Sequence, residues 1–325
     1  NYHYYMGKVD MASTSVISMS MLANVYGDVT DYNDESTMLS FLSSLNYNYK
    51  SKYFLTGTYR RDGSSRLSED NRWGDFWSVS GSWRISSESF MQNISWLNYL
   101  RVRASYGVSG TLPTSWYYFK PFYSFDSYGT DGAFYISSAN NPELTWEKNH
   151  SSNIALETRL FDRVSLSTDF YIKRTKDLLM NATTGSISGF STYLRNIGEM
   201  ENRGVEIDIN VDIIKNKDIT WNAGVNWTYN KNEITKMSYD GEEIMSGSYI
   251  LKEGYSYNQY YTREYAGVNP DNGKVQFYRN NKLADGTYNK EIVNSASNAN
   301  SILIEGRTGD PKGYGGINTS FRYKN

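Results

Sequence analysis

The chain has no cysteine among its 325 residues, which excludes a disulfide framework, thiolate metal sites and cysteine nucleophiles together. Histidine is scarce, with only His3 and His150 present, so imidazole chemistry is almost excluded as well. Proline occurs five times, and no Pro-rich or Ser/Gly-rich linker divides the sequence; its length therefore reads as one continuous architecture and not as two soluble domains. Charge of one sign is also lacking. A total of 33 Lys and Arg against 35 Asp and Glu leaves a net charge of -2, without the cationic excess that neutralises phosphates, and nucleic acid is not an expected partner. No stretch approaches the roughly 18 apolar residues of a transmembrane helix, whereas a strand that meets lipid with alternate residues leaves no such run. No cofactor and no metal are expected.

What the chain does hold is aromatic residues and a two-residue rhythm. Tyrosine, at 30, and tryptophan, at 8, are abundant, and their amphipathic rings suit membrane interfaces and sugar-binding surfaces alike. Val205, Ile207, Ile209, Val211 and Ile213 alternate with Glu206, Asp208, Asn210 and Asp212, the pattern of a strand with one dry face. After a short link, Trp221, Ala223, Val225, Trp227 and Tyr229 oppose Asn222, Gly224, Asn226 and Thr228. The same alternation marks nine candidate strands, the first around Leu39 to Tyr49 and the last around Ile317 to Tyr323.

Their connections alternate in length. Short turns are predicted near residues 50–52, 86–98, 162–163 and 214–218, and long polar loops near 61–75, 109–148, 174–200 and 231–314. Consecutive turns of a meander fall on opposite ends of a sheet, so all long loops share one end, as in outer-membrane barrels. A soluble β-sandwich alternates equally well, but its strands run about five or six residues; several here sustain about nine or more, the span of a tilted membrane strand. The fold class predicted is all-β, an antiparallel up-and-down transmembrane barrel segment.

Four short signatures lie in order along the chain: YFLTGTYRRDGSSR (Tyr53 to Arg66), RWGDFWSVSGSWR (Arg72 to Arg84), NPELTWE (Asn141 to Glu147) and NIGEMENRGVE (Asn196 to Glu206). With LRVRASYGVSG (Leu100 to Gly110), DFYIKRTKDLL (Asp169 to Leu179) and GDPKGYGGINTSFRYKN (Gly309 to Asn325), they resemble the C-terminal barrel portion of SusC/RagA-like TonB-dependent outer-membrane transporters. Two departures are Ser44, where the family usually carries Arg, and Trp77, where Pro often stands; neither breaks the alternation. The resemblance implies about nine strands of a larger, roughly 22-stranded plugged barrel, with the plug domain and the TonB box outside this chain and the barrel continuing beyond residue 325. It implies import of oligosaccharides or peptides together with a SusD-like surface lipoprotein, powered by the TonB complex, in the outer membrane of a Gram-negative bacterium. An alternative from another class is a surface-exposed structural or adhesive β-protein that binds glycans without transport. An enzyme is not expected.

Several groups are weighed as sites. The loop Thr111 to Asn140 carries Trp116, Tyr117, Tyr118, Phe119, Phe122 and Tyr123, with Phe125 and Tyr128 beyond them; such rings either stack on substrate or partner, or pack the loops on one another. Arg84, Arg101 and Arg103 fall on the polar, lumen-facing side of their strands and either line a solute path or hold the plug by salt bridges. The Arg60 to Arg66 run reads as a loop whose Asp and Ser cap backbone groups, in preference to an anion cradle. Asn269 to Gly273 reads as a β-turn and not a calcium loop. Glu242 and Glu243 read as solvated loop charges, and His150 beside Ser151 lacks the partners of a hydrolase.

Overall fold

The computed structural model describes residues 8–9, 25–26, 35–114, 116–128, 131–183, 192–238 and 241–324. Nine long strands form one antiparallel sheet in strict chain order: β1 Met38–Tyr49, β2 Tyr53–Ser64, β3 Trp73–Arg84, β4 Leu97–Thr111, β5 Glu147–Leu160, β6 Val164–Lys176, β7 Glu199–Lys215, β8 Ile219–Lys236 and β9 Gly313–Tyr323. All are longer than ordinary sandwich strands, from 11 residues in β9 to 18 in β8, because most continue past the apolar band into the loops. Among the described residues the helical pieces are three-residue 3-10 turns.

Register puts every apolar residue of the alternation on one face. Phe170 lies opposite Ile154 and Val205, Val205 opposite Tyr229, and Ile209 opposite Leu166 and Val225. The polar face carries rows such as Ser44, Thr58, Ser78 and Gly107. Register shifts interrupt the ladder between Leu97 and Tyr99, between Glu199 and Met200, and between Asp212 and Ile214, the last leaving Ile214 and not Ile213 opposite Trp221. Strict alternation through Ile213 therefore fails at its last step, where the chain bends into the turn.

The rows also reveal tilt. One hydrogen-bonded row passes through Tyr49, Tyr53, Trp83, Val102, Leu156, Thr168, Ile207 and Trp227. It begins at the short-turn end of β1 yet meets β8 eight residues above its start at Ile219. With about 3.3 Å per residue and about 4.8 Å between strands, this stagger inclines the strands by about 40°, inside the range of about 35–45° of transmembrane barrels. A sandwich has no need of so uniform a stagger.

The short connections are residues 50–52, 85–96, 161–163 and 216–218, all at one end, and the long ones, 65–72, 112–146, 177–198 and 237–312, lie at the other. Two of the short turns share one geometry: Lys50 and Ser51 (φ 51° and 53°) and Phe161 and Asp162 (both 53°) occupy the left-handed region, each closed by a backbone bond, Lys52 N–H to Tyr49 O and Arg163 N–H to Leu160 O. This backbone twist matches that of the flanking strands.

The long connections are more ordered than their polar composition predicts. Phe122–Tyr128 pairs with Asp131–Ser138, and Leu179–Thr183 pairs with Thr192–Asn196. Residues between β8 and β9 build a further sheet, in which Gln259–Val268 pairs with Val275–Lys282 and with Ser301–Thr308. The buried apolar side chains collect here. Leu67, Phe76, Leu144 and Trp146 form one cluster, and Leu178, Met180, Ile197, Ile234, Met237, Ile244 and Leu251 are members of another. The wall itself is one layer, with its apolar face open: Leu45 is 68% and Ile317 83% exposed.

Candidate functional site: the outer loop layer and the polar face beneath it

Two aromatic side chains organise the loop layer through glycine sockets. Phe76 of β3 lies over Gly110 of β4, where a Cβ would sit 2.0 Å from its ring, and meets Trp146 edge-on at 5.3 Å. Trp146 donates its indole N–H to Arg72 O at 3.1 Å. On the polar face Tyr171 crosses Gly204, where a Cβ would stand 2.6 Å from its hydroxyl, and donates to Asn230 Oδ1 at 2.9 Å. Only glycine admits rings at this range.

Asparagine amides tie one loop to the next. Asn141 Nδ2 donates to Leu194 O, while Asn196 Oδ1 accepts from Thr145 N and its Nδ2 donates to Thr145 O and Asp177 O, all at 2.9 Å. Ser68 Oγ and Asn71 Nδ2 both donate to Pro142 O, at 2.7 and 3.1 Å. Ser64 N donates to Arg72 O at 3.2 Å, so each of the four signatures contributes to one set of contacts, between segments as far as 74 residues apart. Spacing along the chain holds no trace of this convergence.

The Arg60 to Arg66 run is not the loop expected: Arg60 to Ser64 continue β2 as paired strand, and the chain turns at Ser65 and Arg66, although its Asp and Ser do hold neighbouring groups. Arg60 Nε pairs with the fully buried Asp62 at 2.7 Å, Ser64 Oγ accepts from Arg66 N, and Ser65 Oγ accepts from Thr37 N at 3.0 Å. Asn269 closes a turn, its Oδ1 accepting from Asp271 N at 2.8 Å. Glu242 departs from expectation: it is buried and accepts from Ser238 N at 2.9 Å, because the 237–312 segment folds into a sheet instead of lying open, while Glu243 pairs with Lys252 at 2.6 Å. His150 Nδ1 lies 2.9 Å from the Tyr106 hydroxyl on the apolar face of the sheet.

The aromatic loop divides in two. Arg66 sits 5.0 Å over Trp116, Tyr117 (φ 56°) donates to Glu35 O, Tyr118 packs against the Leu67 cluster, and Lys120 lies over Tyr117 and Phe119. Phe122 and Tyr123 are exposed, Tyr123 by 64%. The side chains of Phe125 and Tyr128 lie outside the described residues. A cavity of about 540 Å³ opens beside this loop. Its walls are Leu112 and Tyr118 from the first long loop, Leu179 and Leu194 from the second and Ile244 and Leu251 from the third; Glu147 lies among them, accepting from Leu179 N at 2.8 Å.

On the polar face, Arg103 reaches Asp169 at 3.1 Å, which also accepts from Asn153 and Ser167. Arg101 lies 3.7 Å from Glu157. Arg84 instead stands over the rings of Phe54 and Tyr99, with no ion pair among the described residues. Arg159 and Asp212, 3.3 Å apart, extend this network, which sequence reading left out because the pair joins β5 to β7 across the intervening β6.

A profile of the family described as TonB dependent receptor-like, beta-barrel, matches residues 3–325. The chain belongs to that family. It is 34% identical over 269 residues to the TonB-dependent receptor SusC of Bacteroides thetaiotaomicron, a match covering 75% of this chain and 26% of SusC. It is 33% identical over 260 residues to TonB-dependent receptor P39 of Formosa agariphila, covering 75% and 24%. Among solved structures, the RagAB peptide transporter superposes with a TM-score of 0.79 at 32% identity, over 96% of this chain and 35% of the other. The chain thus spans about a quarter to a third of these relatives. Membership in this SusC/RagA-like group places the nine strands in an outer-membrane barrel: the apolar face meets lipid, the polar face meets the interior, and the long-loop end is the outer one.

Proposed function

We propose that this chain supplies wall and outer loops to a TonB-dependent importer of oligosaccharides or peptides, capped on its loop side by a SusD-like lipoprotein. The observation that carries the reading is the outer loop layer itself. Its signature residues hold four loops in one fixed arrangement above a polar wall, and a cavity opens among them. In this reading Trp116, Tyr117, Tyr118 and Phe119 brace the loops, and the exposed Phe122 and Tyr123 are offered to substrate or lipoprotein. Arg101 and Arg103 belong to the wall's own charge network. Arg84, without a carboxylate of its own, is the lumen-facing arginine available to a plug. The chain carries no chemistry of its own in this account; it is a transporter component and not an enzyme.

The test is uptake. Deleting the gene is expected to abolish accumulation of one labelled oligosaccharide or peptide class, and Phe122→Ala with Tyr123→Ala to lower it while the barrel still assembles. Normal uptake in the deletion strain, accompanied by lost adhesion to immobilised glycan, would replace this reading with the adhesive one.

A further inference from the structure

The lipid-facing side of β5 to β8 is not uniform. Val205 is flanked directly by two larger residues, Phe170 on β6 and Tyr229 on β8, so a trough runs along β7. Ile154 and Ile172 complete its wall, and the groove encloses about 460 Å³. Its outer end is closed by Arg203 and Lys231, which are direct cross-strand partners. Like charges facing each other in this way destabilise a sheet unless something negative lies between them.

The acids nearby only partly answer that need. Glu201 bridges Arg174 at 2.7 Å and Arg203 at 3.8 Å, and Glu233 holds Lys231 at 2.6 Å. Yet the acids lie beneath the cations. Glu201 is 14% exposed against 60% for Arg174 and 54% for Arg203, so the surface turned outward is positive. Lys231 stands twelve residues above the start of β8, about 30 Å above the short turns at the observed tilt, which is just beyond an apolar band about 25 Å tall. An apolar trough therefore ends in a pair of exposed cations at the level of the outer headgroups.

We propose that this groove is a docking site for a phosphorylated, acylated lipid of the outer leaflet, one acyl chain lying over Val205 between Phe170 and Tyr229 and the headgroup phosphate bridging Arg203 and Lys231. Charge complementarity selects the headgroup, and the continuous apolar floor selects a lipid over a free anion. The inference rests on the barrel wall alone. Import can fail without touching it, and it can fail without touching import.

Native mass spectrometry of the full-length protein in mild detergent tests it, with phosphorylated lipid A and its dephosphorylated form as probes. The phosphorylated lipid is expected to be retained, and the dephosphorylated one to be weaker by at least about tenfold, the factor that losing one charge-assisted contact is worth. Arg203→Ser with Lys231→Ser, and separately Val205→Trp, are expected to release the lipid to the same degree while the heat-modifiable gel shift of a folded barrel persists. Equal retention of the two lipids, a measurement that needs no variant, would overturn the proposal. So would full retention by the folded variants, or displacement by millimolar inorganic phosphate, which would reduce the site to a simple anion site.

Discussion

The wall and the loop layer are made by one chain but obey two solvents. In the wall, Ile209, Val225 and Ile317 are left open on a single sheet; in the loop layer, Leu67 and Ile234 are 0% exposed. The wall needs no second layer because lipid covers its apolar face and the tilted ladder satisfies its backbone. The loops stand in water and must bury their own apolar residues. Hence the conventional hydrophobic core of this protein lies outside the membrane, and the two regions should answer to different perturbations.

The sharpest way to break this division is inside the loop core. Trp146→Ala removes a buried ring, its edge-on contact with Phe76 and its bond to Arg72 O, and is expected to cost about 3–5 kcal/mol. Limited proteolysis of intact cells should then cut residues 65–72 and 112–146, while the gel shift of the folded barrel remains. Loss of the barrel itself would show that wall and loops form one cooperative unit.

Next in size is a charge on the lipid face. Ile209→Arg lies near the middle of the apolar band and is expected to destabilise by about 2–4 kcal/mol, read as the urea midpoint of refolding into lipid vesicles. Asp208→Arg, one residue away on the polar face, should shift it far less. Equal shifts would mean that the two faces meet the same solvent, and the barrel assignment would fall.

A smaller and more local effect is expected at the short-turn end, where Glu88 joins two turns. Its carboxylate accepts from Lys52 Nζ at 2.9 Å, Tyr53 OH at 2.8 Å and Trp83 Nε1 at 3.2 Å, and these bonds lower its pKa from 4.5 to about 2, the Lys52 bond most of all. A depressed carboxyl contributes its stability above the unfolded value and loses it as pH falls through the folded one. Hydrogen-exchange protection in residues 50–52 and 85–96, taken relative to the intrinsic rate at each pH, should therefore fall between pH 4.5 and 2, with no matching change in the 65–72 loop. Glu88→Gln should show the low protection at every pH. A flat profile in the parent protein would remove Glu88 from this role.

Sequence reading reached the wall and missed much of the layer above it, for a physical reason. Period two is local, so Val205 to Val211 and Trp221 to Tyr229 reveal their faces residue by residue. The bulge at Ile213 is visible only against the partner strand, and the tilt only in a row that crosses eight strands. The sheet between β8 and β9 hid among Asn, Gly and Ser, because Tyr261 meets Leu303 across a long separation and not across a tight hairpin. The signatures could be recognised but not understood: that Asn196 holds Thr145 is a fact of packing. Among the site candidates, Arg101 and Arg103 could be assigned a face, while their acidic partners on β5 and β6 could not be named.

The smallest expected change concerns the turns. Lys50 and Ser51 hold left-handed backbone without being glycine, which costs roughly 1–2 kcal/mol per residue for side chains with a Cβ. The Ser51 amide is satisfied by Asn48 Oδ1 at 2.9 Å, so the strain is balanced by a local bond that substitution at 50 and 51 leaves in place. Replacing the pair by Asn-Gly, the residues that this geometry favours, should stabilise the barrel by about 0.5–1 kcal/mol and leave the loop layer's protease pattern unchanged. The same exchange at Phe161 and Asp162 should yield less, because Asp162 also binds Arg159 at 3.2 Å and Lys215 at 3.7 Å. If both exchanges stabilise equally, those exposed ion pairs contribute nothing measurable at the turn, as is common for surface pairs. If the outer loops stiffen as well, the two regions are coupled through the strands that join them.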